Sequence, residues 1–85
     1  MTPERFACLC CGFLTLTERP PGTYSICPVC SWEDDPLQAR DPSSNGGANR
    51  VALRVARENY RAFGVSEPGG QATVRDPLPE EFPAR

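Results

Sequence analysis

Two residue types are missing from this chain, since its 85 residues include no histidine and no lysine. Without histidine there is no Ser-His or Cys-His catalytic pair and no Cys2His2 metal site. The side chain that most often serves as a general base near neutral pH is missing too. This absence disfavours most hydrolytic enzymes, and we expect a protein that is not an enzyme.

Long apolar runs are also lacking. No stretch of the chain approaches a membrane span, which needs about 18 apolar residues, and no apolar segment follows Met1 as it would in a secretory signal. The five cysteines are an odd number, whereas a secreted disulfide framework uses an even set. We therefore expect a cytoplasmic protein without a membrane partner, whose thiols are available to bind metal.

Net charge is small and unevenly distributed. The formal value of −2 gives no general reason to expect binding to nucleic acid or to an anionic membrane. Residues 43–63 are the exception, because they hold four arginines and a single acidic residue. The only basic segment of the chain therefore lies in its middle.

Four of the five cysteines are spaced in a pattern typical of a metal site. Cys8 and Cys11 are separated by two residues, as are Cys27 and Cys30, and fifteen residues lie between the two pairs. Each pair can form a tight turn, here called a knuckle, that points both sulfurs at one ion. The spacing predicts a Zn²⁺ site with four thiolate ligands. Four thiolates fill the coordination shell, so we expect this zinc to be structural.

Cys10 is the fifth cysteine and lies within the first knuckle. One interpretation is a spare thiol that packs beside the knuckle. The other is a redox-active or alternate-ligand thiol that the nearby metal activates. No basic residue accompanies Cys10 locally, which favours the first interpretation.

Segments beside the knuckles predict a hairpin and a helix. Residues 13–17 and 23–26 are apolar or β-branched and flank a Pro-Pro-Gly turn, which predicts two paired strands. Residues 49–63 predict a helix with Asn49 as its N-cap and Gly64 just beyond its end. We expect its apolar face to pack on the hairpin; that face comprises Val51, Ala52, Leu53, Val55, Ala56, Tyr60, Ala62 and Phe63.

These elements define the predicted fold class. It is a small, metal-stabilised α+β domain with a zinc-ribbon-like β-hairpin, two Cys knuckles and one packed α-helix, and we assign it to residues 1–64. Residues 37–47 are rich in turn-forming residues and predict an irregular loop. Residues 65–85 are rich in Pro, Gly and charge, and predict a tail that either wraps the domain or stays mobile.

An acidic segment follows the second knuckle directly and consists of Trp32, Glu33, Asp34 and Asp35. One interpretation is a solvated acidic turn in which Trp32 covers the knuckle. The other is an acidic recognition surface with Trp32 as its aromatic anchor. The first is favoured, because a tryptophan in a small domain more often serves packing.

Four arginines share one face of the predicted helix. We call this set, Arg50, Arg54, Arg57 and Arg61, the arginine stripe; its members fall within about 60° of arc on a helical wheel. The stripe is interpreted as a solvated face, as an internal partner of the acidic segment, or as a docking surface for an acidic partner or phosphates.

Three strings of the sequence resemble the bacterial cysteine-rich CPCC family. They are Cys-Leu-Cys-Cys-Gly-Phe-Leu-Thr-Leu from Cys8, Tyr-Ser-Ile-Cys-Pro-Val-Cys-Ser-Trp-Glu-Asp-Asp from Tyr24, and Gly-Gly-Ala-Asn-Arg-Val-Ala-Leu from Gly46. Asn59-Tyr60 and Phe63-Gly64 complete the resemblance, which spans residues 6–64, and Leu9 stands where the family name has proline. It implies a small metal-binding bacterial protein, some of whose relatives belong to toxin–immunity neighbourhoods.

Three functions are therefore considered, in order of preference. The first is a protein-interaction module with an unidentified protein partner, of the immunity or inhibitor type that the resemblance implies. The second is a nucleic-acid-binding zinc ribbon that uses the arginine stripe. The third is a thiol-based redox enzyme that uses Cys10. Mixed charge, the acidic segment and the missing catalytic base favour the first.

Overall fold

The computed structural model describes residues 4–83. Two short strands, β1 (Phe6–Ala7) and β2 (Leu14–Leu16), precede two helices, α1 (Pro36–Arg40) and α2 (Leu53–Phe63). Single 3-10 turns follow at Gln71–Thr73 and Pro79–Glu81. No helix in this part of the chain is long and apolar enough to cross a membrane. A two-stranded sheet with one longer helix agrees with the predicted ribbon-like α+β class.

Each knuckle closes its own pair of extended segments. β1 pairs antiparallel with β2 across the first knuckle, with Phe6 opposite Leu16. Across the second knuckle an isolated bridge joins Ile26 to Glu33. The predicted pairing of residues 13–17 with 23–26 is therefore wrong. A knuckle is itself a reverse turn, so the segments that flank it are already adjacent and hydrogen-bond to each other first.

A short helix occupies part of the segment that the sequence predicts as a loop. Asp35 caps α1, because its side chain accepts a hydrogen bond from the Leu37 amide, and Pro36 supplies the fixed φ of the first turn. Inside α1, Gln38 is fully buried. Its Nε2 lies within 3.2 Å of the carbonyl oxygens of Ser44, Asn49 and Val51. The loop is thus tied down by a buried amide.

α2 begins later than predicted. Its N-cap residue is Ala52, whose side chain forms no capping hydrogen bond. Asn49 does not cap the helix, because its side chain hydrogen-bonds the Glu33 backbone and the Gln38 side chain instead. The predicted end is correct: Gly64 adopts a left-handed conformation at φ 76° and donates to the carbonyl of Tyr60.

Packing of α2 is confined to its first two turns. Leu53 and Ala56 are buried, and Tyr60 is half-buried against the same core. Phe63 is 56% exposed and Ala62 is also exposed, so the prediction that they pack on the hairpin is wrong. The residues of α2 that contact the core lie nearer its N-terminus, and its last turn extends beyond that contact.

The segment after α2 returns to the second knuckle. The Ser66 amide donates to the Cys30 carbonyl over 2.7 Å, and the Arg75 amide donates to the Pro28 carbonyl over 3.1 Å. Glu81 is fully buried and hydrogen-bonds Arg75, which holds the pKa of that carboxyl below its usual value. These contacts tie the C-terminal segment to the ribbon.

Candidate metal centre

The two knuckles bring four sulfur atoms together. The Sγ atoms of Cys8, Cys11, Cys27 and Cys30 all lie within 4.8 Å of one another. Cys8 Sγ is 3.6 Å from Cys30 Sγ, and Cys11 Sγ is 3.8 Å from Cys27 Sγ. A regular tetrahedron with Zn–S bonds of about 2.3 Å has edges of about 3.8 Å. The four predicted ligands therefore fit a tetrahedral metal ion.

Backbone geometry aims these sulfurs. In the first knuckle the Gly12 amide donates to the Cys8 carbonyl over 2.9 Å, and Gly12 has φ 84°. In the second, the Ser31 amide donates to the Cys27 carbonyl over 2.8 Å, and Ser31 has φ 75°. The residue after each pair thus reverses the chain in the same way, although only the first is glycine.

Three of the four sulfurs have a hydrogen-bonding partner outside the cluster. The Cys10 amide donates to Cys8 Sγ and the Trp32 amide to Cys30 Sγ, each over 3.4 Å. The Thr15 hydroxyl lies 3.0 Å from Cys27 Sγ and can donate to a thiolate there. Such donors stabilise thiolate charge and orient the ligands of a metal.

Electrostatics within the cluster favour a thiolate at Cys27. Hydrogen bonds from Cys11, Cys30 and Cys8, in that order, lower the pKa of the Cys27 thiol strongly, and the Thr15 hydroxyl adds to them. Tyr60 packs against the same core, and burial, followed by the charge of Cys11, raises its pKa to about 12. Neighbouring cysteine side chains raise the pKa of two other ligands: Cys27 is the largest cause for Cys11, and Cys10 is the largest cause for Cys30. A metal must therefore displace protons from these two sulfurs.

Cys10 is buried but lies outside the four-sulfur cluster. Its side chain is 8% exposed and belongs to the core beside the first knuckle. Burial limits access to the thiol by any substrate. This placement favours the interpretation of Cys10 as a packed, spare thiol.

Most of the acidic segment is buried. Trp32, Asp34 and Asp35 are at most 6% exposed, and Glu33 is half-buried. Asp34 accepts hydrogen bonds from the amide and hydroxyl of Thr23. The segment is therefore neither a solvated turn nor an exposed acidic surface. Trp32 does cover the knuckle, as the first interpretation has it, because it belongs to the core around the cysteines.

Asp35 fixes the following loop. Its Oδ1 accepts from the Leu37 amide and its Oδ2 from the Ala48 amide, each over 2.7 Å. The Ala48 amide is the largest cause that lowers the pKa of this carboxyl. The carboxylate is therefore a structural hydrogen-bond acceptor.

All four members of the arginine stripe are exposed. Within residues 4–83, none of them forms an ion pair with the acidic segment, which removes the internal-partner interpretation for the described chain. Arg50, which lies just before α2, is 3.8 Å from Glu67. Arg57 donates from Nε to the Leu9 carbonyl over 2.8 Å, so the stripe borders the first knuckle.

Sequence reasoning missed three side chains that shape the site. Thr15 faces Cys27 from β2, Gln38 holds the loop, and Asn49 joins that loop to the second knuckle through the backbone of Glu33. The alternation of Leu14, Thr15 and Leu16 is a weak sign that Thr15 points to one side of a strand. Nothing local in the sequence marks Gln38.

The ribbon-like fold and its four-sulfur cluster define a small metal-binding domain with a structural centre. The family model described as Cysteine-rich CPCC matches residues 6–81, which is nearly the whole chain. The protein therefore belongs to the cysteine-rich CPCC family. No curated protein gives a significant match to it.

Proposed function

We propose that this protein is a zinc-binding domain whose metal is structural and which acts as a protein-interaction module. The observation that carries the proposal is the closed cluster of four cysteine sulfurs. Four thiolates complete the coordination of zinc, so no position is left for a substrate or an activated water. All-sulfur ligation also favours zinc over the oxygen-preferring cations.

The surface supports an interaction role. Large apolar side chains are exposed at Tyr24, Ile26, Phe63 and Phe82, each by more than half. Phe82 also packs edge-on against the half-buried Phe13, with ring centroids 5.0 Å apart, so these two rings are contiguous. Contiguous exposed apolar surface is typical of binding sites. The acidic segment is not part of this surface, because most of it is buried.

Metal analysis tests the first half of the proposal. We expect one zinc per chain, and X-ray absorption should show four sulfur ligands at about 2.3 Å. A different metal, or a ligand set with oxygen or nitrogen, would refute the structural zinc assignment.

Partner capture tests the second half. The metal-loaded protein and its Cys27→Ser variant are used as matched baits in lysate of the source cells. We expect a discrete protein to be retained by the folded bait alone, and its identity shows whether the module is of the immunity or inhibitor type. Retention of nucleic acid instead would support the alternative function, a nucleic-acid-binding zinc ribbon.

A further inference from the structure

The arginine stripe follows one flank of α2. Arg54, Arg57 and Arg61 are spaced by three and four residues, so they share a helix face. At a rise of about 1.5 Å per residue, these three arginines extend over about 10 Å. Arg50 lies just before the helix and continues the positive surface toward its N-terminus.

α2 carries three arginines of the stripe and one acidic residue, the exposed Glu58, which lies four residues after Arg54 and three before Arg61, so this surface keeps a net positive charge. Arg50 pairs with Glu67, but the two side chains are 89% and 37% exposed. An ion pair that is so exposed to solvent neutralises little of the charge of Arg50. Among residues 4–83, Arg54, Arg57 and Arg61 form no ion pair. The first turn of α2 also contains no acidic residue, so the positive end of the helix dipole adds to the stripe.

Arg57 is held in place at the centre of the stripe. Its Nε donates to the carbonyl of Leu9, which lies inside the first knuckle. The two terminal nitrogens of the guanidinium remain available to bind a carboxylate in a forked geometry. A side chain that is already ordered loses less conformational entropy when it binds a partner.

We propose that the arginine stripe docks an acidic helical segment of a partner protein, an inference that rests on the interaction role proposed above. Carboxylates three or four residues apart on a helix repeat with the same period as the arginines of α2. Arginine forms bidentate contacts with such carboxylates. Nucleic acid suits this surface less well, because the three arginines on α2 extend over only about 10 Å and the whole chain has a net charge of −2.

The probe is a labelled, alanine-based helical peptide of about 20 residues with Glu at alternating spacings of three and four. A scrambled peptide of the same composition and a DNA duplex are the comparison ligands. Fluorescence anisotropy measures binding to the metal-loaded protein at low and at physiological salt. The test variant is Arg54→Gln with Arg61→Gln, which leaves the contact of Arg57 intact. Arg40→Gln is the matched control, because Arg40 is an exposed arginine on α1.

We expect the helical peptide to bind more tightly than the scrambled one and more weakly as salt rises. The double variant should raise its Kd about tenfold, as the loss of two exposed charge pairs implies. Arg40→Gln should leave the Kd unchanged. Equal weakening by the control, or equal binding of both peptides, would overturn the proposal. Tighter binding of the duplex, lost in the double variant, would overturn it in favour of nucleic acid.

Two further readouts separate this inference from the proposed function. Zinc content and thermal midpoint of the double variant should equal those of the parent, because both arginines are exposed. If the double variant still retains the captured partner as well as the parent does, the stripe assignment fails while the interaction role stands. If the folded parent captures no protein, the interaction role itself fails.

Discussion

Removal of the metal should unfold the protein. Of the eleven hydrophobic residues buried within the described chain, three are ligands of the cluster, namely Cys8, Cys27 and Cys30, so the cluster forms a substantial part of the core. A core of this size contributes about 3–5 kcal/mol, whereas zinc binding to small modules contributes about 10–16 kcal/mol near neutral pH. The metal is the larger contribution by a wide margin. Without it, thiolates 3.6–3.8 Å apart would repel each other or need protons.

The assay is far-UV circular dichroism with a thermal scan, before and after chelation and again after zinc is restored. Cys27→Ser should behave like the chelated protein, because it removes one ligand and the sulfur that faces Thr15. Cys10→Ser is the matched control and should keep one zinc per chain, since Cys10 lies outside the cluster. An unchanged spectrum and midpoint after verified loss of metal would refute the reasoning.

Three further predictions concern single residues. Gly47→Ala should destabilise by about 1–3 kcal/mol in urea unfolding, because its Cβ would lie 2.6 Å from Asp35 Oδ2, whereas Gly46→Ala should change little. The pKa of Asp35 is lower in the folded protein than its unfolded value near 3.8, so the ionised carboxylate stabilises the fold above that value and this stabilisation is lost as pH falls through the folded pKa. The difference in unfolding free energy between the parent and Asp35→Asn should therefore shrink in acid. Cys11 is the only ligand that is not fully buried, so mass spectrometry should find iodoacetamide on Cys11 before the other three; earlier labelling of Cys27 would contradict this.

Local signals are what made the metal site predictable. The two-residue spacing within each cysteine pair sets the geometry of a knuckle, so the four sulfurs can be assigned before any tertiary contact is known. The end of α2 was also predictable from the local sequence, because Gly64 alone supplies the left-handed cap. Features that depend on two or three neighbouring residues are thus visible in this sequence.

Non-local contacts account for the errors. Asn49 is a good N-cap by type, but its side chain bonds Glu33, sixteen residues earlier, and the helix starts only at Leu53. Gln38 is polar in a turn-rich segment, yet partners on the far side of the loop allow it to be buried. Phe63 fits the apolar wheel of α2, but a wheel does not show how far along the helix the core extends.

The knuckles also organise the rest of the surface. Arg57 donates to the carbonyl of Leu9, the residue next to the ligand Cys8. The Ser66 amide donates to the carbonyl of Cys30, which is itself a ligand. Both contacts are made by backbone atoms whose positions depend on the closed knuckles. Metal loss would release the centre of the arginine stripe and the start of the C-terminal segment together. A zinc ion at this centre would supply most of the folding free energy of such a domain, so we predict that the proposed docking surface is present only when the metal is bound.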